Sequence, residues 1–156
     1  MAKSESNRYF TSDLHLGHSM AAEKRGFNSV KEHDEFIINT LKEICNKKST
    51  LWILGDIAFK KESLELLNQV PANKKGLYGN HDMMNSTEYL KVLQSMHGFY
   101  KYKNMWLSHC PIHPQEMYRC SSNVHGHIHK NTNSLELPLP YINVNWDFWD
   151  RPVTFE

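Results

Sequence analysis

Apolar and polar positions follow a helical or a strand-like pattern over most of the first hundred residues. A helix is predicted over 30–46, where apolar residues recur at helical spacing behind a capping box formed by Ser29 and Glu32. The run at 50–54 is apolar at nearly every position, which predicts a strand buried on both faces. The chain therefore begins as an α/β protein rather than as a helical bundle or a β-sandwich.

The remaining segments give shorter patterns. Further helices are predicted over 64–70 and 86–96, while 19–29 reads as a loop with one helical turn at most. Further strands are predicted over 8–12, 74–78, 100–108, 122–124, 141–144 and 153–155. Strand and helix alternate first and strands dominate later, which predicts a layered α/β fold with a β-α-β first half and a β-rich second half. We expect a single domain over 1–156, with 1–7 flexible.

Polar side chains of the types that bind metals follow the predicted strands. Asp13 and His15 come directly after the first strand, and an extended backbone would point both to the same side. A carboxylate and an imidazole aimed at one point form half of a shell for a divalent metal. The other strand ends carry Gly55-Asp56, Gly79-Asn80-His81-Asp82, His109, and Gly126-His127-Ile128-His129. Because sites in open α/β sheets form at the carboxyl ends of strands, we expect these groups to meet.

Composition adds one anomaly and excludes several classes of protein. Eighteen Lys and Arg face 17 Asp and Glu, so no overall charge indicates binding to long nucleic acid or to a membrane surface. Ten histidines in 156 residues favour metal chemistry. Three cysteines without a Cys-x-x-Cys spacing predict a reducing compartment, and no apolar run reaches the length of a membrane span. We expect a cytoplasmic protein.

The five motifs together resemble, in order and spacing, those of the calcineurin-like metallophosphoesterase superfamily, in particular its small bacterial and phage members. The resemblance covers residues 9–129, and the segment 143–153 is also similar. It implies a four-layered α-β-β-α sandwich, two mixed β-sheets flanked by helices, with a binuclear metal centre at one edge. By position, Asp13, His15, Asp56 and His129 would hold one ion, and Asp56, Asn80, His109 and His127 the other.

The resemblance also implies the roles of residues beside the metals. His81 would act on the phosphate, stabilising developing charge or protonating the leaving oxygen, and Asp82 would orient its imidazole. His18 and Arg25 are candidates for substrate contact, as is Asn80, although His18 and Arg25 could equally be solvated loop residues. Without the resemblance, His109 would be interpreted as a buried core histidine.

The predicted function is metal-dependent hydrolysis of phosphomonoesters or phosphodiesters, nucleotides and cyclic nucleotides among them, through attack of a metal-bridging hydroxide without a phosphoenzyme. The expected cofactors are two divalent transition-metal ions, manganese first, with iron, zinc, cobalt or nickel as alternatives. The alternatives in function are a nuclease or nucleoside-polyphosphate hydrolase, and a non-catalytic metal-binding scaffold of the same fold. A scaffold would have no chemical need for His81.

Overall fold

The computed structural model describes residues 7–130, 137–138 and 140–155. The predicted flexibility of 1–7 therefore lies, except for Asn7, outside the described residues. Within these three ranges, no helix has both the length and the apolar composition that crossing a bilayer requires.

The first sheet is entirely parallel and has its strands in the order in which they occur along the chain. Its strands are β1 (Arg8–Thr11), β2 (Thr50–Leu54), β3 (Asn73–Leu77) and β4 (Ser95–His97). The register pairs Phe10 with Trp52 across β1 and β2. Because parallel strands need crossover connections, the helices between them cover one face of this sheet.

The second sheet comes from the second half of the chain and is mixed. Its strands, again in chain order, are β5 (Tyr100–Tyr102), β6 (Met105–Leu107), β7 (Ser122–His125) and β8 (Tyr141–Asn143). Strands β5 and β6 form an antiparallel hairpin, whereas β6, β7 and β8 pair in parallel. The predicted β-rich second half is therefore one four-stranded sheet.

In the described part of the chain, five α-helices and two 3₁₀ helices flank the sheets. The α-helices are α1 (Ser19–Lys24), α2 (Val30–Ile44), α3 (Lys61–Glu65), α4 (Ser86–Tyr89) and α5 (Trp146–Trp149). The 3₁₀ helices are Leu66–Gln69 and Pro114–Met117. Ser29 caps α2 as predicted, since its Oγ accepts from the Glu32 N–H at 3.1 Å. The Glu32 carboxylate accepts from the Asn28 N–H instead, so the capping box is shifted by one residue.

Two predicted elements differ in the structure. The helix predicted over 86–96 ends at Tyr89, and 95–97 forms the edge strand β4 because Gln94 N–H donates to Lys74 O and brings the chain alongside β3. The segment 153–155 is not a strand, and Val153 makes only an isolated bridge to Phe10. The helical turn predicted within 19–29 is α1, whereas α5 was not predicted because it is shorter than the window in which helical periodicity can be recognised.

Two hydrophobic cores explain the apolar run of β2. Leu51 and Ile53 pack with residues of α2, including Leu41, on the helix side of the sheet. Trp52 and Leu54 pack between the two sheets, with Phe10 and Leu77 from the first sheet and Leu107 and Val124 from the second. The prediction of a strand buried on both faces is confirmed, and the fold is an α/β sandwich of two four-stranded sheets flanked by helices.

Candidate metal centre

The backbone turns sharply just beyond β1 and β2, where the two chains run side by side. Asp13 N–H donates to Gly55 O at 3.0 Å, and His15 N–H donates to Asp56 O at 2.9 Å. Asp13, His15 and Asp56 have φ values of 56°, 49° and 51°, and His127 has a φ of 67°. A left-handed conformation costs a residue other than glycine about 1–3 kcal/mol and is concentrated at functional sites. The predicted convergence of Asp13 and His15 is therefore achieved by left-handed turns rather than by an extended strand end.

The glycines of three motifs allow backbone segments to touch at this point. A Cβ atom on Gly79 would overlap the backbone nitrogen and carboxylate of Asp56, and one on Gly126 would overlap Ser12 and the Asp13 carboxylate. A Cβ on Gly55 would overlap the imidazole of His109. Each glycine thus leaves room for a metal-binding type of side chain from another strand end.

Asp13, His15 and His129 form the first cluster of donor atoms. Asp13 Oδ1 lies 3.7 Å from His15 Nε2 and 3.4 Å from His129 Nε2, and ring nitrogen and oxygen atoms of all three lie within 4.8 Å of one another. Asp13 and His15 are 0% and 5% exposed. Among the described residues, Asp13 Oδ1 and both ring nitrogens of His15 have no hydrogen-bond partner. Buried polar atoms without partners are costly, and a cation between them would satisfy them.

Asp56, Asn80, His109 and His127 form the second cluster. His109 Nδ1 donates to Leu54 O at 2.8 Å, because a carbonyl can only accept, and this leaves a lone pair on Nε2. That Nε2 faces the Asn80 Oδ1 at 2.9 Å and the Asp56 Oδ2 at 3.4 Å, while His127 Nδ1 lies 3.1 Å from the same amide oxygen. His127 Nδ1 also lies 3.3 Å from His109 Nε2, and a proton on it could reach only one of these acceptors, so a cation would satisfy the remaining ones.

Asp56 belongs to both clusters through a single oxygen. Its Oδ2 lies 3.6 Å from His15 Nε2 and 3.4 Å from His109 Nε2, whereas its Oδ1 accepts from the His81 N–H at 2.9 Å. Asp56 is only 2% exposed. One oxygen, rather than the two of the carboxylate, thus faces both groups of donors.

The charges of the two clusters favour bound cations. Burial alone would raise the pKa of Asp13 and that of Asp56, but the surrounding imidazoles outweigh it and lower both pKa values. Burial alone would lower the pKa of His109, but the Asp56 and Asp13 carboxylates raise it overall. Burial and the neighbouring His109 lower the pKa of His127. Two buried carboxylates among histidines are the donor set that divalent transition metals prefer.

Asp147 was not predicted as a site residue, yet it supports the first cluster. His129 Nδ1 donates to Asp147 Oδ2 at 2.6 Å, which turns His129 Nε2 towards Asp13. The carboxylates of Asp13 and Asp147 raise the pKa of His129 to about 9. A carboxylate behind a histidine is the usual partner of a metal-binding imidazole. Asp147 is in the first turn of α5, a helix of four residues, and only its position near the motif-like segment 143–153 could have drawn attention to it.

The side chain of Arg25 is hydrogen-bonded to Asp147 and to the backbone beside the first cluster. Its Nε donates to Asp147 Oδ1 at 2.8 Å, and its Nη2 donates to Asp13 O at 2.6 Å. Its Nη1 donates to Leu14 O at 3.0 Å and to His33 Nε2 at 2.9 Å. All three nitrogens are thus engaged by the protein, and the side chain is only 11% exposed. The predicted substrate contact of Arg25 is not supported by these bonds, which hold the left-handed turn at Asp13.

A buried histidine and aspartate extend this support into α2. His33 is fully buried, its Nδ1 donates to Asp34 Oδ1 at 2.8 Å, and Asp34 also accepts from the Gly17 N–H. Because Arg25 can only donate, His33 must accept through Nε2, and its proton lies on Nδ1. Helix α2 is therefore connected by hydrogen bonds to both ends of the Asp13–Gly17 loop.

Asp82 holds the loops of the site together rather than the imidazole of His81. Burial raises the pKa of Asp82, and its carboxylate accepts four bonds. The donors are the N–H groups of Asp56, Ile57 and Gly79, at 2.7, 2.9 and 2.8 Å, and the Tyr89 hydroxyl at 3.2 Å. The predicted contact with His81 is absent from the described hydrogen bonds. Asp82 instead positions the backbone of Asp56.

His81 and His18 lie at the open side of the clusters. The exposed His81 ring lies 5.7 Å, centre to centre, from the His15 ring and 5.4 Å from Phe59. The half-buried His18 stacks on Phe59 at 4.0 Å, and its Nδ1 accepts from the Ala21 N–H as the N-cap of α1. Burial, together with His15 and His81, lowers the pKa of His18. His18 Nε2 has no hydrogen bond to any described residue, and contact of His18 with a substrate stays a prediction.

Comparisons with known proteins support the fold more than any activity. No protein-family model matches the chain. The chain is 37% identical over 83 residues to the Gene 66 protein of Mycobacterium phage L5, and 38% identical over 82 residues to that of Mycobacterium phage D29. Each match covers 49% of this chain and 40% or 41% of the phage protein. The chain therefore spans well under half the length of the curated relatives it matches.

Two solved structures share the fold. A protein of unknown function from Aquifex aeolicus, AQ665, aligns over 96% of both chains with a TM-score of 0.75 and 26% identity. A distant neighbour, a novel archaeal phosphodiesterase, aligns over 89% of this chain and 82% of its own with a TM-score of 0.50 and 13% identity. The latter likeness concerns the fold alone.

Proposed function

We propose that the chain is a metal-dependent phosphoric ester hydrolase with a binuclear centre, of the kind found in calcineurin-like metallophosphoesterases. One observation carries the proposal, namely that Asp56 Oδ2 lies within 3.6 Å of a histidine nitrogen from each of two donor clusters. Two ions held so close together are typical of sites that transfer phosphoryl groups. The fold shared with a phosphodiesterase is consistent with the proposal.

The donor residues would be distributed between the two ions. Asp13, His15 and His129 would hold one ion, Asn80, His109 and His127 the second, and Asp56 Oδ2 would contact both. When bound, the two ions would polarise the phosphoryl oxygens and activate water for in-line attack on phosphorus.

His81 is the residue that the proposal places on the substrate. Its N–H donates to the Asp56 Oδ1, which fixes its backbone beside both clusters, while its ring remains exposed. From there the ring would donate a hydrogen bond to a phosphoryl oxygen or give a proton to the leaving oxygen. A positioned general acid contributes about 10²–10⁴-fold to a rate.

The test is hydrolysis of bis-p-nitrophenyl phosphate and p-nitrophenyl phosphate by the full chain with added Mn²⁺. We expect metal-dependent turnover, and a decrease of about 10²–10⁴-fold in kcat for His81→Ala without loss of bound metal. His113→Ala is the matched control, because His113 is an exposed histidine whose ring caps only its own 3₁₀ helix. Two bound metal ions without turnover of either ester would favour a scaffold. Unchanged turnover in His81→Ala would exclude the role of His81.

A further inference from the structure

Cys110 carries an exposed thiol at the second donor cluster. Its Sγ and one ring nitrogen each of His109 and His127 lie within 4.8 Å of one another. Two donors of one zinc ion, with bonds of about 2.1 and 2.3 Å, lie at most about 4.4 Å apart. A small rotation about χ1 of Cys110 would therefore bring sulfur to the ion that His109 and His127 would hold.

The backbone around Cys110 is held firmly, so the position of its side chain is set by the fold. The Ser108 hydroxyl donates to Cys110 O at 2.6 Å, and Gly126 N–H donates to His109 O at 2.9 Å. Pro111 follows, which restricts Cys110 to an extended backbone conformation.

A second, fully buried residue fixes both sides of this loop. The Asn123 amide donates to Ser108 Oγ at 2.9 Å and accepts from the Ile112 N–H at 3.0 Å, and Asn123 is 0% exposed. The loop is thus tied to β7, the strand that leads to His127. The loop that contains His109 and Cys110 and the strand that leads to His127 are therefore connected to each other by hydrogen bonds of Asn123.

A second observation favours a cation in this cluster. His109 is 5% exposed, and its Nε2 faces the oxygens of Asn80 and Asp56 at 2.9 and 3.4 Å and the His127 Nδ1 at 3.3 Å, so a proton on His127 Nδ1 is the only donor that these acceptors could share among the described residues. We propose that Cys110 Sγ is an additional ligand of the ion held by His109 and His127, so that this position favours thiophilic ions such as Zn²⁺, Cd²⁺ and Co²⁺ over Mn²⁺.

The inference rests on the proposed binuclear centre and adds a sulfur donor to it. On binding, the thiol proton passes to solvent and the sulfur donates an electron pair to the ion. The first cluster, with only oxygen and nitrogen donors, keeps no such preference. The two positions therefore differ in metal selectivity.

Cobalt titration of the full chain tests the inference, because thiolate bound to Co²⁺ gives a near-ultraviolet charge-transfer band. We expect the band in the wild type and in Cys120→Ser, the control at another thiol, and its loss in Cys110→Ser. Cadmium affinity should fall about tenfold or more in Cys110→Ser, which corresponds to about 1.4 kcal/mol. Manganese affinity should change far less in the same variant.

The outcomes separate this inference from the proposed function. Two bound cobalt ions without the band, or a band that persists in Cys110→Ser, would overturn the role of Cys110 and leave the binuclear centre standing. Failure of the wild type to bind cobalt, manganese or zinc would overturn both. Alkylation by iodoacetamide, mapped by mass spectrometry, gives a second readout, because Cd²⁺ should protect Cys110 and leave Cys120 reactive.

Discussion

Replacement of Asp147 by asparagine should weaken metal binding at the first cluster and spare the second. The substitution removes the charge that accepts from His129 Nδ1 at 2.6 Å and from Arg25 at 2.8 Å. His129 is then free to turn its ring or to exchange its Nδ1 proton for one on Nε2. In either case the lone pair of Nε2 no longer points at Asp13.

The magnitude follows from comparable carboxylate–histidine pairs. Loss of such a partner typically costs 10–100-fold in metal affinity, which is about 1.4–2.7 kcal/mol. Arg25 retains its bonds to Leu14 O and Asp13 O, so the loop keeps its shape and the fold survives. We therefore expect the effect to appear in metal binding before it appears in unfolding.

Competition with a coloured chelator, at free manganese concentrations about tenfold above the wild-type dissociation constants, measures this effect. The wild type should bind two ions and Asp147→Asn close to one. Asp150→Asn is the matched control, because Asp150 is an exposed residue at the end of the same helix and asparagine tolerates its left-handed φ of 51°. Two ions bound with unchanged affinity in a folded Asp147→Asn protein would refute the positioning role of Asp147.

Three further predictions concern the backbone and the core. Gly79→Ala would press a Cβ into the backbone of Asp56, so urea unfolding should show a loss of about 1–3 kcal/mol in unfolding free energy, together with loss of metal binding. Gly98→Ala is the control, because Gly98 lies in open space and its substitution should change neither stability nor metal binding. Equal stabilities of the two variants would contradict the close approach of Gly79 to Asp56. Asp82→Ala leaves three backbone N–H groups without their acceptor and should lower the free energy of unfolding by about 3–5 kcal/mol. A decrease of less than about 1 kcal/mol would show that water replaces the carboxylate as acceptor. Burial raises the pKa of Cys45 from 9.0 to about 11, so this thiol stabilises the fold fully below pH 9.0 and loses that contribution as the pH rises to 11. Relative to Cys45→Ala, the wild type should lose about 2 kcal/mol of unfolding free energy between pH 9.0 and pH 11, and parallel stability curves would refute the shift.

The elements that could be predicted from the sequence have strong local signals. Helix α2 combines a long amphipathic pattern with a Ser29 cap, and β2 is a bounded apolar run, so both were predicted to within two residues. The segment 86–96 lacked such signals, and its second half became β4 because a tertiary partner, β3, was available to pair with it. Short elements depend on such partners more than on their own propensity.

Some residues of the candidate site could be predicted from the sequence, and others could not. The residue types after each strand, and the topology rule for parallel sheets, were enough to predict that Asp13, His15 and Asp56 would meet. The supporting roles of Asp147, Arg25 and Asp82 were not predictable, since their partners lie as many as 122 positions away along the chain. Asp82 belongs to the Gly79-Asn80-His81-Asp82 motif, but its hydrogen bonds, like those of Arg25, position the backbone of the site.

The sequence by itself determined the α/β class, the order of the main strands and the set of possible metal ligands. These depend on local periodicity and on residue chemistry, which a sequence displays directly. Only the tertiary structure decided that left-handed turns, rather than extended strand ends, aim Asp13, His15 and Asp56. It also decided that one oxygen of Asp56 faces both clusters and that the thiol of Cys110 lies beside His109 and His127. The physical reason is that convergence of donor atoms within 4 Å depends on backbone conformation and on contacts between distant segments, and neither is encoded in the spacing of residues along the chain.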